Sequence, residues 1–273
     1  MTAGEAIRAA AERLASVSDT ARLDAELLMA HLFGTTRSTL LLRHMREPAP
    51  EPFAALVERR ASHEPVAYIT GEAEFYGLTL RVTPATLIPR SDSETLIEAA
   101  LDCMATQGRA LDLGTGSGAL LLAVLGEQSG WTGLGIDASA QALAVAQGNA
   151  ETLGLADRTA FDRRDWRTLG WADDLGTFDL VLCNPPYVES DAVLDRQVAA
   201  FEPATALFAG PDGLDDYRIL IPQLRALMND TALAVLEIGA NQADAVSALA
   251  DAAGFGVELR RDLAGRPRAL ILR

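Results

Sequence analysis

The chain has 273 residues, 49% of them hydrophobic, which is material for one large domain or for a modest one with a small companion. All 23 basic residues are arginine against 38 Asp and Glu, so Schiff-base chemistry and a P-loop lysine are excluded. The net charge of −15 disfavours a polyanion partner, and the expectation is no direct nucleic acid. Charge or glycine breaks every apolar stretch well short of the roughly 20 residues a membrane span needs. Glu5, Arg8, Glu12 and Arg13 at helical spacing argue against a signal peptide, so a cytoplasmic protein with no membrane partner is expected.

Residues 4–61 read as helices. Ala6, Ile7, Ala10, Leu14 and Val17 recur at helical spacing, and 21–32 repeats the pattern with Leu23, Leu27, Leu28 and His31 on its apolar face. Ser18 and Asp19 offer caps between them. Residues 39–45 form a third short apolar piece, 47–52 is a proline-rich break, and 53–62 reads as another helix. The expected organisation is a small α-helical bundle over 1–64, a β-hairpin linker over 65–83 in which 66–71 and 74–82 are strands, and a larger domain over 84–273. The charge divides unevenly, with 9 Arg and 11 Asp/Glu in 1–83, so the acidic surface belongs mainly to the larger part.

From Pro84 the pattern alternates between strand and helix. Helix 93–105 leads to strand 110–113, helix 118–126, strand 132–136 and helix 139–153. A loop with Asp165 and Trp166 precedes strand 178–183. Helix 215–228, strand 232–238, helix 242–253 and strands 257–260 and 269–272 complete the series. Such alternation implies an α/β fold, a parallel sheet covered on both faces, with an antiparallel edge at the end.

Two motifs carry the chemistry. The first, Asp112-Leu113-Gly114-Thr115-Gly116-Ser117-Gly118, follows a strand and opens a helix with spacing G-x-G-x-G rather than the dinucleotide G-x-G-x-x-G. Ligands of open α/β sheets lie at the carboxyl ends of strands, where glycines let the main chain come close. This spacing suits a nucleoside ligand without a pyrophosphate, such as S-adenosyl-L-methionine. Asp137, 19 residues beyond Gly118 at the end of the next strand, is placed to accept from ribose hydroxyls; its alternative is a helix cap before 139–153. Asp165 and Trp166 are candidates for contact with the base, with an ordinary surface loop as the other reading.

The second motif is Asn184-Pro185-Pro186-Tyr187, at the end of an apolar strand. An amide or aryl-amine nitrogen is a poor nucleophile because its lone pair is delocalised. The Asn184 side-chain oxygen and the Pro185 carbonyl can accept its two N–H groups and favour a pyramidal nitrogen in the transition state. Pro185 and Pro186 stiffen the loop, and Tyr187 offers a wall for a planar group. Glycine loop and tetrad together point to methyl transfer onto a planar nitrogen. Cys183 reads as a small apolar filler. Cys103, Cys183 and three scattered histidines form no metal set, and no metal is expected.

At this point the sequence resembles the bacterial peptide-chain release-factor glutamine N5-methyltransferases, known as HemK or PrmC. The likeness rests on Pro65-Val66-Ala67-Tyr68-Ile69-Thr70-Gly71, Glu74-Phe75-Tyr76-Gly77, Leu87-Ile88-Pro89-Arg90 with Glu94, and the two motifs above. It continues through Phe201-Glu202-Pro203 with Ala206-Leu207, Gly213-Leu214-Asp215, Glu237-Ile238-Gly239 with Gln242, and Asp262-Leu263-Ala264-Gly265-Arg266-Pro267-Arg268. The resemblance implies a class I AdoMet-dependent methyltransferase, Rossmann-like with a seven-stranded mostly parallel sheet, after a helical substrate-docking domain. It implies Gly114, Thr115, Gly116, Ser117, Gly118, Asp137, Trp166 and Asn184 at S-adenosyl-L-methionine, and Asn184 to Tyr187 at the glutamine of the Gly-Gly-Gln loop of class 1 release factors. A monomer is expected, and no role follows for Arg90 or Glu94.

One stretch departs from the family. After Arg90 the usual Pro-(Asp/Glu)-Thr-Glu is replaced by Ser91-Asp92-Ser93-Glu94, whose first serine resembles the sister family acting on ribosomal protein L3. A DNA adenine N6-methyltransferase uses the same tetrad, but needs base flipping and a basic reading surface that −15 opposes. A non-catalytic AdoMet-binding module has no use for the tetrad.

Overall fold

A computed structural model describes residues 1–273, which fold into two compact units. One comprises Met1–Glu72 with Leu194–Phe201, the other Ala73–Val193 with Glu202–Arg273.

In the first unit, α1 (Ala3–Leu14) starts at a capping box in which the Thr2 side chain accepts from the Glu5 N–H and Glu5 returns the bond to the Thr2 N–H. It buries Ala3, Ala6, Ile7, Ala10 and Leu14, the i, i+3, i+4 stripe its spacing dictates. Helix α2 (Ala21–Leu32) does not bury the face expected from its leucines. Leu23 and Leu27 are more than a third exposed and His31 is exposed, while Asp24, Ala25, Glu26, Leu28 and Met29 face inward. Ion pairs turn the helix this way. Asp24 accepts from Arg60 at 2.7 Å, both side chains buried, and Glu26 accepts from Arg22 at 2.9 Å and Arg37 at 2.7 Å. Ser18 and Asp19 do not cap α2, whose N-cap Thr20 forms no side-chain cap bond. The short α3 (Arg37–Thr39) runs into a π-turn over Leu40–His44, and α4 (Phe53–Ala61) buries Phe53, Val57 and Arg60.

Residues Val66–Thr70 form helix α5, not the expected strand. Pro65 at its N-cap and the left-handed Gly71 (φ 79°) at its C-cap delimit it, and Tyr68 and Ile69 are buried. The hairpin lies elsewhere than expected, almost wholly within the second expected strand: β1 (Glu72–Phe75) pairs with β2 (Leu78–Arg81), and the turn at Tyr76 and Gly77, both at positive φ, breaks the run 74–82 in two.

The second unit continues with α6 (Glu94–Cys103), β3 (Gly108–Leu113), α7 (Ala119–Glu127), β4 (Trp131–Asp137), α8 (Ala140–Thr152), β5 (Thr159–Arg163) and β6 (Phe178–Cys183). After α9 (Arg196–Phe201), which belongs to the first unit, come α10 (Asp215–Leu227), β7 (Met228–Glu237), α11 (Ala243–Ala252), β8 (Val257–Arg261) and β9 (Pro267–Leu272). The order β5-β4-β3-β6-β7-β9-β8 makes one seven-stranded sheet, parallel from β5 to β7, with β9 antiparallel to both β7 and β8. Alternation along the strands feeds two cores. Leu180, Leu182, Val235 and Ile271 join one, while Val181, Cys183, Leu236 and Leu270 join the other. No helix is long and apolar enough to cross a membrane.

Strand β5 and helix α9 were not foreseen. The chain builds outward from β3 to β4 and β5, then returns to lay β6 on the other side of β3. That reversal is a topological switch point, and the crevice beyond the carboxyl ends of β3 and β6 is where such sheets take ligands.

Candidate active site

Strand register brings the two motifs together. Leu113 is paired with Ile136 on one side and with Cys183 on the other. One residue further on, Gly114, Asp137 and Asn184 therefore emerge side by side at the switch point. They line a cavity of about 370 Å³ with Thr115, Gly116, Ser117, Trp166 and Pro186, and its wall also includes Asp112, Thr86, Ser93 and Thr205. Gly118, Pro185 and Tyr187 lie off that wall. Gly118 (φ 84°) is the N-cap of α7, where a Cβ would sit 2.9 Å from Leu122 and 3.3 Å from Ala146. Pro185 is buried behind Asn184, and Tyr187 turns its hydroxyl away to donate to Glu237 Oε1 at 3.1 Å.

The glycine loop is held open by hydrogen bonds to its own surroundings. The N–H groups of Gly114 and Thr115 both donate to the Ile136 carbonyl at 2.9 Å, and Gly116 N–H donates to Asp137 Oδ2 at 3.0 Å. A Cβ on Gly114 would lie 3.1 Å from the Trp166 ring, so the indole lies directly over the loop. That ring is fixed in turn, because Trp166 Nε1 donates to Asp216 Oδ1 at 2.7 Å while Arg167 pairs with both oxygens of the same carboxylate. The indole N–H is thus occupied, which leaves Trp166 only its ring surface to offer a ligand.

Asp137 is not a helix cap. Ser139 caps α8 with its own hydroxyl, accepting from Ala142 N–H at 3.2 Å, and Asp137 Oδ1 accepts from Ser139 N–H at 2.8 Å. Burial raises its pKa, and the two main-chain donors oppose the rise. Each oxygen of the carboxylate has one protein donor and keeps capacity for another. Asp112 is more deeply buried. Its Oδ2 accepts from the Thr115 hydroxyl at 2.6 Å, its Oδ1 has no partner, and burial lifts its pKa to about 7. No hydrogen bond within the protein consumes the Asn184 side chain or the Pro185 carbonyl, so both acceptors are free. Cys183 is fully buried and its thiol pKa is driven up by burial, as suits a packing residue.

A family model described as the PrmC N-terminal domain matches residues 5–71, and one described as a methyltransferase domain matches 106–214. The release factor glutamine methyltransferase of Cereibacter sphaeroides is 42% identical over 282 residues, covering 100% of this chain and 99% of its own length. That of Pseudomonas aeruginosa is 42% identical, covering 92% of each chain, and that of Rhodospirillum rubrum 42% identical, covering 92% of this chain and 78% of its own. The chain belongs to the release factor glutamine methyltransferase family. Solved structures share its fold. A methyltransferase from Pyrococcus furiosus superposes with a TM-score of 0.51 at 14% identity, over 79% of this chain and 95% of that one. The ribosomal protein L11 methylase from Lactobacillus delbrueckii subsp. bulgaricus gives 0.50 at 22%, over 71% and 84%.

Within this release factor glutamine methyltransferase relative, the residues left without a role prove to be braces. Glu94 Oε1 accepts the Tyr76 N–H at 2.9 Å, steadying the hairpin turn. Arg90 pairs with buried Glu202, which also accepts the Ile88 N–H at 3.3 Å, so segments on two sides of the cavity are tied together. In the departing stretch, Asp92 accepts from Arg266 at 3.0 Å and Arg268 at 2.9 Å, while Ser93 is buried against the cavity. Sequence reading missed Asn149. Its amide donates to the Ser117 carbonyl at 2.8 Å and to the Arg81 carbonyl at 3.0 Å, and accepts from Arg81 N–H at 2.8 Å, locking α8, β2 and the glycine loop. An asparagine inside an alanine-rich helix was the only signal.

Proposed function

We propose that this chain transfers a methyl group from S-adenosyl-L-methionine to the side-chain amide nitrogen, N5, of the glutamine in the Gly-Gly-Gln loop of class 1 peptide chain release factors. The observation that carries the reading is the shared register of β3, β4 and β6, which sets Gly114, Asp137 and Asn184 around one cavity. Relatives named release factor glutamine methyltransferase match nearly the whole chain, and this supports the substrate.

The residues present fit S-adenosyl-L-methionine. Asp112 Oδ1 is a buried acceptor without a donor, suited to an ammonium group, and Asp137 keeps acceptor capacity for ribose hydroxyls. The Trp166 ring and Ser139 stand on the same wall for the base and ribose. When bound, the cosubstrate supplies a sulfonium methyl group as the electrophile.

The chain's own residues then prepare the nitrogen. Asn184 Oδ1 and the Pro185 carbonyl accept the two N–H bonds of the glutamine carboxamide, draining its planarity and orienting its lone pair. Locked φ angles at Pro185 and Pro186 mean that this alignment need not be found anew at each turnover. No strong base is required, because the alkylated nitrogen is acidic and sheds its proton to solvent.

The test is to incubate the full chain with class 1 release factors and with ribosomal protein L3, then map methylated peptides by mass spectrometry. The expected product is a methylated glutamine within Gly-Gly-Gln. Modification of the L3 peptide alone would overturn the substrate. Undiminished turnover by Asn184→Ala would overturn the clamp.

A further inference from the structure

From the last residue of β7 the chain reads Glu237-Ile238-Gly239-Ala240-Asn241-Gln242, and two of these side chains reach the tetrad from behind. The Gln242 carboxamide is ordered by three bonds. Its Oε1 accepts the Gly239 N–H at 3.0 Å, and its Nε2 donates to the carbonyls of Tyr187 at 3.0 Å and Gly213 at 3.2 Å. The Gly239 bond fixes which end is oxygen, so both amide protons must face carbonyls. Tyr187 is gripped at its main chain by Gln242 and at its hydroxyl by Glu237. Glu237 is buried in its turn, and its carbonyl accepts the Tyr217 hydroxyl at 2.7 Å. Gly213 (φ 68°) closes the arrangement, since a Cβ there would stand 2.3 Å from the Tyr187 oxygen.

We propose that Gln242, assisted by Glu237, is a positioning residue for methyl transfer: it fixes the Tyr187 peptide so that the Pro185 carbonyl stays aimed at the substrate amide. The inference rests on the reading of Asn184 and Pro185 as the two acceptors. Between the Pro185 and Tyr187 carbonyls lie few soft torsions, one of them locked by the Pro186 ring. Pinning the far end removes most of the freedom that remains. Neither Gln242 nor Glu237 lines the cavity. Losing the pin therefore loosens the acceptor without touching the cosubstrate, and misplacement of a reacting group by about 1 Å is enough to cost about a hundredfold in rate.

The experiment uses the full chain and a class 1 release factor, with kcat, KM, the Kd of S-adenosyl-L-methionine by calorimetry and the thermal midpoint measured for each variant. Gln242→Met keeps the length but no hydrogen bond; Gln242→Glu keeps the acceptor for Gly239 and loses both donors. Each is expected to lower kcat about a hundredfold with the cosubstrate Kd unchanged. Glu237→Gln keeps an acceptor for the Tyr187 hydroxyl and is expected to retain most of kcat, whereas Glu237→Leu is not. An unchanged kcat in either Gln242 variant, with Asn184→Ala inactive, would overturn the positioning role and leave the clamp standing. Parallel losses of kcat, cosubstrate affinity and thermal midpoint would also overturn it, as the mark of general destabilisation. An active Asn184→Ala would remove the clamp and this inference with it.

Discussion

Replacing Asp112 with Asn should change how stability depends on pH. The carboxyl is almost wholly buried and stands near the Asp137 carboxylate; the Thr115 hydroxyl and the Leu121 main-chain N–H favour its charged form but do not offset the burial. Burial, aided by that neighbouring charge, raises its pKa from 3.8 to about 7. Below pH 3.8 the group is neutral in folded and unfolded chains alike and contributes nothing. Between 3.8 and 7 only the unfolded chain gives up the proton, so each rise in pH favours unfolding; above 7 the penalty is constant. At 1.36 kcal/mol per unit, the span from 3.8 to about 7 comes to roughly 4 kcal/mol, of which about 3 kcal/mol accrues between pH 5 and 7. The assay is urea unfolding of the cosubstrate-free chain and of Asp112→Asn at pH 5 and pH 8, followed by tryptophan fluorescence. Trp131, Trp166 and Trp171 all lie in the methyltransferase unit, so the signal reports on it alone. The variant's advantage over the natural chain should grow by about 3 kcal/mol from pH 5 to pH 8. An advantage that stays the same would mean the carboxyl does not titrate in this window, and would refute the argument.

Asp137→Ala should weaken S-adenosyl-L-methionine binding by roughly 1.5–3 kcal/mol, read by calorimetry, because it removes a charged acceptor from the cavity. Gly213→Ala should cost at least about 1–2 kcal/mol through its left-handed backbone alone, and more from contact with Tyr187, read as a drop in unfolding free energy together with kcat. Asp24→Ala strands buried Arg60 and should destabilise the helical unit by about 3–5 kcal/mol in chemical denaturation, whereas Asp24→Leu with Arg60→Met should recover most of the loss.

Period and glycine spacing made most of the α/β unit legible, because buried parallel strands such as 178–183 are apolar runs that little else resembles. The edge strand β5 escaped notice, since Thr159-Ala160-Phe161-Asp162-Arg163 is half polar and only its pairing with β4 makes it a strand. Helix α5 was misread because Val66, Ile69 and Thr70 are β-branched, and its ends, set by Pro65 and Gly71, decide the matter. The face of α2 was turned by buried carboxylates, two of whose arginine partners, Arg37 and Arg60, come from elsewhere in the chain. Both motifs at the site were visible as local strings. Their supports, Asn149, Glu202, Glu237 and Gln242, act across 32 to 114 positions of sequence and leave no periodic trace.

The excursion at Leu194–Phe201 bears on any attempt to dissect the protein. A cut after Glu72 would not yield a clean catalytic fragment. It would leave eight residues, seven positions downstream of Tyr187, deprived of the helices they pack with, and their fraying would begin close to the tetrad. Trimming the amino terminus and excising that strip are therefore one operation, and a shortened enzyme would need a brief replacement linker from Val193 to Glu202.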